Sequence, residues 1–141
     1  MSLFSVFNVS GSALNAQTIR LNTTASNLAN AESEDGDPTK VYRGRHPVFQ
    51  TLMDDSDTSS DGSDASAGVR VLGIVESTAP PTARYQPDNP KANKDGYVYS
   101  TNVNTIEEMT NMISANRSFA TNIEAINTAR DLLLKTISMG H

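Results

Sequence analysis

Two imidazoles are the first groups to test for chemistry, at His46 and His141. An imidazole works as a general acid–base or a metal ligand when a second group orients it or shares the ion. His46 lies between the basic run Arg43-Gly44-Arg45 and Pro47, and His141 is the last residue given. Isolated histidines of this kind are more often surface groups than sites. Sixteen serines are present, and no feature marks one of them for a Ser-His-Asp arrangement. The run Asp61-Gly62-Ser63-Asp64 resembles part of a calcium loop, which needs a bidentate Glu at its twelfth position. Counted from Asp57, that position holds Gly68, so the pattern fails and a solvated acidic loop explains the residues. Lys40, Arg43 and Arg45 form a small basic patch that reads as one exposed strand face. There is no cysteine, which removes disulfides, thiolate catalysis and zinc–thiolate sites. No catalytic residue, metal or cofactor is therefore expected.

The elements that would have to position chemistry instead carry the strongest pattern themselves. Apolar residues make up 37% of the 141-residue chain, enough for one domain with a modest core. The net charge of −5 argues against nucleic acid and against anionic membrane surfaces. The first residues lack a basic region and a sustained apolar run, so they do not read as a cleaved secretion signal. No apolar run approaches the length of a membrane span, so no direct membrane insertion is expected.

Residues 4–30 predict a long helix with a ladder Phe7, Gly11, Leu14, Thr18, Leu21, Ala25, Leu28 on one face. Its other faces are rich in Ser, Thr and Asn, and Gly11 costs about 1 kcal/mol relative to Ala. Packing rather than propensity must hold it. The stretch Asn102 to Ser138 contains neither Gly nor Pro and predicts a helix of about 55 Å. Its start carries two capping-box spacings, Thr105 with Glu108 and Asn104 with Glu107. One ladder runs Met109, Met112, Asn116, Phe119, Ile123, Ile126, Arg130, Leu133, Ile137. A second runs Ile106, Met109, Ile113, Asn116, Ala120, Ile123, Asn127, Arg130, Leu134, Ile137. The apolar face is broad enough for more than one neighbour, and the shared polar positions Asn116 and Arg130 can set register.

Between the helices the pattern is extended and broken. Ala31 to Lys40 is acidic turn chemistry ending on Pro38. Val41–Met53 predicts an edge or broken strand because of Pro47. Asp54 to Gly68 holds five acids and no large apolar side chain, and predicts a flexible loop. Val69–Glu76 predicts the clearest strand. Thr82–Gln86 and Tyr97–Tyr99 predict short strands, with Asp95-Gly96 as a hairpin-type turn. The fold class expected is α+β, mainly helical. Long terminal helices pair antiparallel in a coiled-coil-like way (residues 1–32 and 102–141), around a small β-rich middle (residues 33–101).

The bland reading of the helical stripes is an intramolecular two-helix core; the sharper one is assembly. Three features favour assembly. The helices lie at opposite ends of the chain, the last outgrows its domain, and both are too polar to stand alone. A soluble helical adaptor or secretion chaperone is the rival reading, since it too would use terminal helices. A small hydrolase would need a pocket with titratable groups, which the sequence does not point to.

The run Ser12-Ala13-Leu14-Asn15-Ala16-Gln17, then Arg20-Leu21-Asn22, then Ala25-Ser26-Asn27-Leu28-Ala29-Asn30-Ala31, resembles the N-terminal signature of bacterial flagellar rod and hook proteins. The second half of the resemblance lies in Gly96-Tyr97-Val98, Asn102-Val103-Asn104, Glu107-Glu108-Met109, Ser114-Ala115-Asn116-Arg117-Ser118-Phe119 and Ala125-Ile126-Asn127-Thr128-Ala129. Many of that family follow Asn-Leu-Ala-Asn directly with a Thr-x-Gly-Tyr turn. This chain instead inserts Ala31 to Val41 before Tyr42-Arg43, as proximal-rod members do. The resemblance implies a non-enzymatic building block of the basal-body rod, the drive shaft that carries motor torque and surrounds the export channel. It implies passage through the flagellar type III export apparatus without signal cleavage, and a final place in the periplasm-spanning rod. The implied partners are other copies of itself, other proximal and distal rod proteins, and the adaptor joining the rod to the MS ring and export gate. The expected assembly interface is Phe7, Leu14, Leu21, Asn27, Leu28 and Asn30 on the first helix. On the last it is Ile106, Met109, Met112, Ile113, Asn116, Phe119, Ile123, Ile126, Arg130, Leu133, Leu134 and Ile137.

Overall fold

The computed structural model describes residues 3–53 and 67–139. In chain order the elements are α1 (Leu3–Ala29), β1 (Glu34–Asp35), β2 (Arg45–Met53), β3 (Ala67–Glu76), β4 (Thr82–Tyr85), β5 (Tyr97–Ser100) and α2 (Thr105–Met139). The α+β class expected from the pattern is what is found. The acidic loop expected over 54–68 lies outside the described residues except for Ala67 and Gly68, which open β3. His141 lies outside them as well.

Both helices form where unbroken 3.6-residue periodicity demands them. α2 is 35 residues long, about 52 Å at 1.5 Å per residue. Its start is set by Asn104, whose Oδ1 accepts from the amides of Ile106 (3.0 Å) and Glu107 (3.4 Å). Of the two capping spacings, the one built on Asn104 is used. An Asn cap satisfies amides that the first helical turn leaves without partners. Glu107 and Glu108 add negative charge at the positive end of the helix dipole.

The strands form two small sheets. β1, β5 and β4 make a three-stranded antiparallel sheet with β5 in the centre. Glu34 and Asp35 lie opposite Ser100 and Tyr99, and Tyr85 lies opposite Tyr97. β2 pairs with β3 alone. That explains how Pro47 is tolerated in β2, since a strand with one neighbour has an unpaired side. β1 carries no strand signal in the sequence; two acidic residues extend because β5 offers them a ladder. Asp95-Gly96 does not close the two-residue hairpin expected of it. Residues 86–96 separate β4 from β5, and the turn is organised by Asn93, whose Oδ1 accepts from the amides of Asp95 (3.0 Å) and Tyr97 (2.9 Å).

The chain divides into two compact units. One contains residues 1–19, 48–73 and 114–141. The other contains residues 20–47 and 74–113. Among the described residues the buried apolar side chains of the first are Ala16, Ala115 and Ala129; those of the second are Val41 and Val98. Alanine and valine bury little area, so these cores contribute little apolar burial.

Candidate functional site

The surfaces of α2 sort into rows seven residues apart. The innermost row is Glu108, Ala115, Asn122, Ala129: three are buried and Asn122 is half-buried. Beside it lies a half-buried row, Met112, Phe119, Ile126, Leu133. The next row is exposed: Met109, Asn116, Ile123, Arg130, Ile137. Ile106, Ile113 and Leu134 are exposed too, Ile106 at 75%. The expected ladders are real, but they run along the edge and outside of the helix, not along its inner seam. An apolar count cannot find an inner row made of Glu, Ala, Asn and Ala.

α1 repeats this arrangement. Ser5, Ser10, Ala16, Thr23, Thr24 and Asn27 are buried. Phe7, Leu14, Leu21 and Leu28 are half-buried, while Gly11, Thr18 and Ala25 are exposed. Small and polar side chains lie inside on both helices, and the large apolar ones that stand exposed are on α2. Arg20 of α1 donates to Asn111 Oδ1 of α2 at 3.2 Å. In the other unit Val6 of α1 and Ala125, Ala129 and Leu132 of α2 line a shallow apolar groove. Apolar exposure continues on the strands, at Val48, Phe49, Leu52 and Leu72.

Asn27 behaves differently from the other expected interface residues. It is 1% exposed, and both ends of its amide bond within the chain. Nδ2 donates to the Arg45 carbonyl at 2.8 Å. Oδ1 accepts from the Arg45 amide and from the Tyr42 hydroxyl, both at 2.9 Å. Asn102 makes a comparable clamp next door: its Oδ1 accepts from the Gly44 amide and its Nδ2 donates to the Ala79 carbonyl, each at 2.8 Å. Asn30 donates back to the Ser26 carbonyl at 2.8 Å and stays half-buried. Asn102 and Tyr42 stand within the family-like motifs but were not among the expected interface residues, since a polar residue in a connector gives no sign of its partner.

The expected basic patch is not one uniform face. Lys40, Arg43 and Arg45 line an open cavity of about 670 Å³ together with Glu34, Asp35 and Glu76. Arg45 is paired there with Glu76 at 3.0 Å and lies 5.5 Å from the centre of the Tyr42 ring. Charges of both signs alternate around this cavity. Nearby, the Thr39 hydroxyl and then the Thr39 amide hold the Asp37 carboxyl below its ordinary range, with Lys40 a smaller influence. Among the described residues no three His, Asp or Glu side chains converge as metal ligands would. No helix among them is long and apolar enough to cross a membrane.

Comparison with known proteins matches the two ends of the chain to two family models. Residues 7–33 match the model described as "Flagella basal body rod protein". Residues 94–139 match "Flagellar basal body rod FlgEFG protein C-terminal". Along its length the chain is similar to the flagellar basal-body rod protein FlgC of Salmonella typhimurium (strain LT2), at 43% identity over 99% of both chains. It is 43% identical to the FlgC protein of Yersinia enterocolitica over the same shares. Similarity extends to FlgC of Buchnera aphidicola subsp. Baizongia pistaciae, at 34% over 99% of both.

Proposed function

This chain belongs to the flagellar basal-body rod protein family, in its FlgC group, and from that premise we propose how its two helices build it into the rod. It is a structural subunit of the basal body and not an enzyme. Residues 1–32 and 102–141 form the axial part, with α1 and α2 running antiparallel, and residues 33–101 form the middle part that meets neighbours. Two features support the antiparallel pairing. The start of α1 shares a unit with the end of α2, and the end of α1 shares a unit with the start of α2. The Arg20–Asn111 bond joins the latter two segments.

The observation that carries the assembly reading is the distribution of side-chain size. Among the described residues the buried apolar ones are alanines and valines, while Ile106, Met109, Ile113, Ile123, Leu134 and Ile137 stand exposed. Full burial of such a side chain is worth about 1.5–3 kcal/mol. Together these six hold back an amount comparable to the whole stability of a small domain, roughly 5–15 kcal/mol. Neighbouring subunits supply that burial. Asn116 and Arg130, exposed among apolar neighbours, fix the register of the contact.

The partners are other copies of this chain, the other proximal and distal rod proteins, and the adaptor between rod and MS ring or export gate. The assembled rod carries torque through many such contacts and encloses the export channel. Subunits reach it through the flagellar type III apparatus without signal cleavage. Ile123→Asp is the direct test, read beside Ile113→Asp, whose side chain is more exposed in the single chain (57% against 40%) and whose change should leave the subunit itself intact. Expected is loss of swimming, with the variant exported but missing from purified basal bodies. Normal motility would remove Ile123 from the interface, and absence of the unaltered chain from basal bodies would defeat the rod reading itself.

A further inference from the structure

The Asn27 amide meets Arg45 at both of that residue's backbone groups, donating to the carbonyl and accepting from the amide. This is the two-point pairing that a neighbouring strand would offer, supplied here by one side chain at the end of α1. The same Oδ1 also takes the Tyr42 hydroxyl, and Ser26 Oγ lies 3.2 Å from that hydroxyl. Asn102 fixes the adjoining Gly44 amide, and the Gly44 carbonyl accepts from the Ser77 amide at 2.7 Å. All of these groups lie in one unit.

We infer that Asn27 is a joint that makes the ordering of the 41–46 connector depend on the last turns of α1 being helical, so that the Tyr42–Arg45–Glu76 surface takes shape only on subunits whose axial helix has formed. The side chain reaches Tyr42 and both Arg45 backbone groups from one position, and that position exists only when residues 23–29 are helical. An unfolded α1 leaves the Arg45 backbone and the Tyr42 hydroxyl without these partners. Without them the Arg45 backbone exchanges these bonds for water and nothing from α1 holds the connector in place, so it should open with the helix. α1 is rich in Ser, Thr and Asn and carries Gly11, so its helix relies on packing. Packing supplied by neighbours would then reach the connector through Asn27. The surface it arranges holds Arg45 against Glu76 and beside the Tyr42 ring, along the cavity that Arg43 also lines. A subunit would thus present this surface to its next partner after, and not before, its helix is seated. That purpose rests on the rod reading above; the joint itself does not.

The test follows amide hydrogen exchange of the full chain, residue by residue, as trimethylamine oxide drives it toward the compact state. In the unaltered chain, the Asn30 amide of the α1 end and the Gly44 and Arg45 amides should gain protection at the same osmolyte concentration. Asn27→Ala should separate them, leaving the Arg45 amide about tenfold or more less protected than the Asn30 amide. Asn27→Asp covers the case in which the alanine variant never becomes helical. A protonated carboxyl can still donate to the Arg45 carbonyl and a carboxylate cannot, so the coupling should be present at low pH and lost as that carboxyl ionises, against the unaltered chain at each pH. Separate transitions in the unaltered chain would overturn the joint, as would pH-independent coupling in Asn27→Asp. Neither result bears on whether the chain is found in basal bodies, which is read by fractionation.

Discussion

Single residues decide the local geometry of the middle region, and two glycines show why. Gly96 has φ of 75°, and a Cβ there would come within 2.9 Å of the Tyr85 ring. That ring packs edge-on against Tyr97, with centroids 5.3 Å apart. Gly36 has a different constraint: a Cβ would stand 2.6 Å from the Lys91 carbonyl oxygen, a backbone atom with little room to move. Gly96→Ala should therefore cost about 1–2 kcal/mol through left-handed strain plus displacement of Tyr85, measured as a shift in the midpoint of osmolyte-induced folding. Asp37 offers a second check. Its carboxyl is held low by the Thr39 hydroxyl first and the Thr39 amide second. A depressed carboxyl contributes above its ordinary range and loses that contribution as pH falls through the depressed value. Thr39→Val should move the Asp37 titration back toward the ordinary carboxylate range, read by NMR, with little effect on the fold because the group is exposed. Asp37-Pro38 was legible as a turn from sequence alone, since Asx turns need only a side chain and its own backbone.

Elements were legible where their cause is periodic and local. Both helices follow from spacing, as does the strand expected over Val69–Glu76, which begins two residues earlier at Ala67, and α2 begins where the Asn104 cap allows. Asn104→Ala should fray the first turn of α2 and cost about 1 kcal/mol, seen as faster exchange of the Ile106 and Glu107 amides with the helix centre unchanged. β1 was not legible, because a two-residue strand exists by virtue of its partner β5 and not of its own side chains. The inner rows of the helices were hidden for a related reason. The inner positions are filled by small or polar residues, and such residues do not register as an apolar stripe. The ladders drawn from large side chains therefore run along the edge and outside of α2, while on α1 their large members are half-buried. For a subunit that polymerises, that outward face is the one of interest.

At the scale of the molecule, the balance is between a thin core and a large unsatisfied apolar surface. Isolated in dilute buffer, the chain should show much less helix by circular dichroism than the 27 and 35 residues of its two helices, and should gain it on assembly or in osmolyte. Full helix in an isolated, monodisperse chain would point instead to a self-sufficient adaptor. The amino-acid sequence by itself determined the class of the protein: no cysteine, no site-like histidine, two periodic ends, and rod-protein motifs at both of them. These are properties of composition and spacing along one dimension. Only the tertiary structure decided which face of each helix is inner, that Asn27 and Asn102 clamp the connector, and that Lys40, Arg43 and Arg45 share a cavity with three carboxylates. Those facts join residues up to 58 positions apart, as Gly44 and Asn102 are. A hydrogen bond across such a separation depends on where folding brings its two ends, and no local property of either end records it.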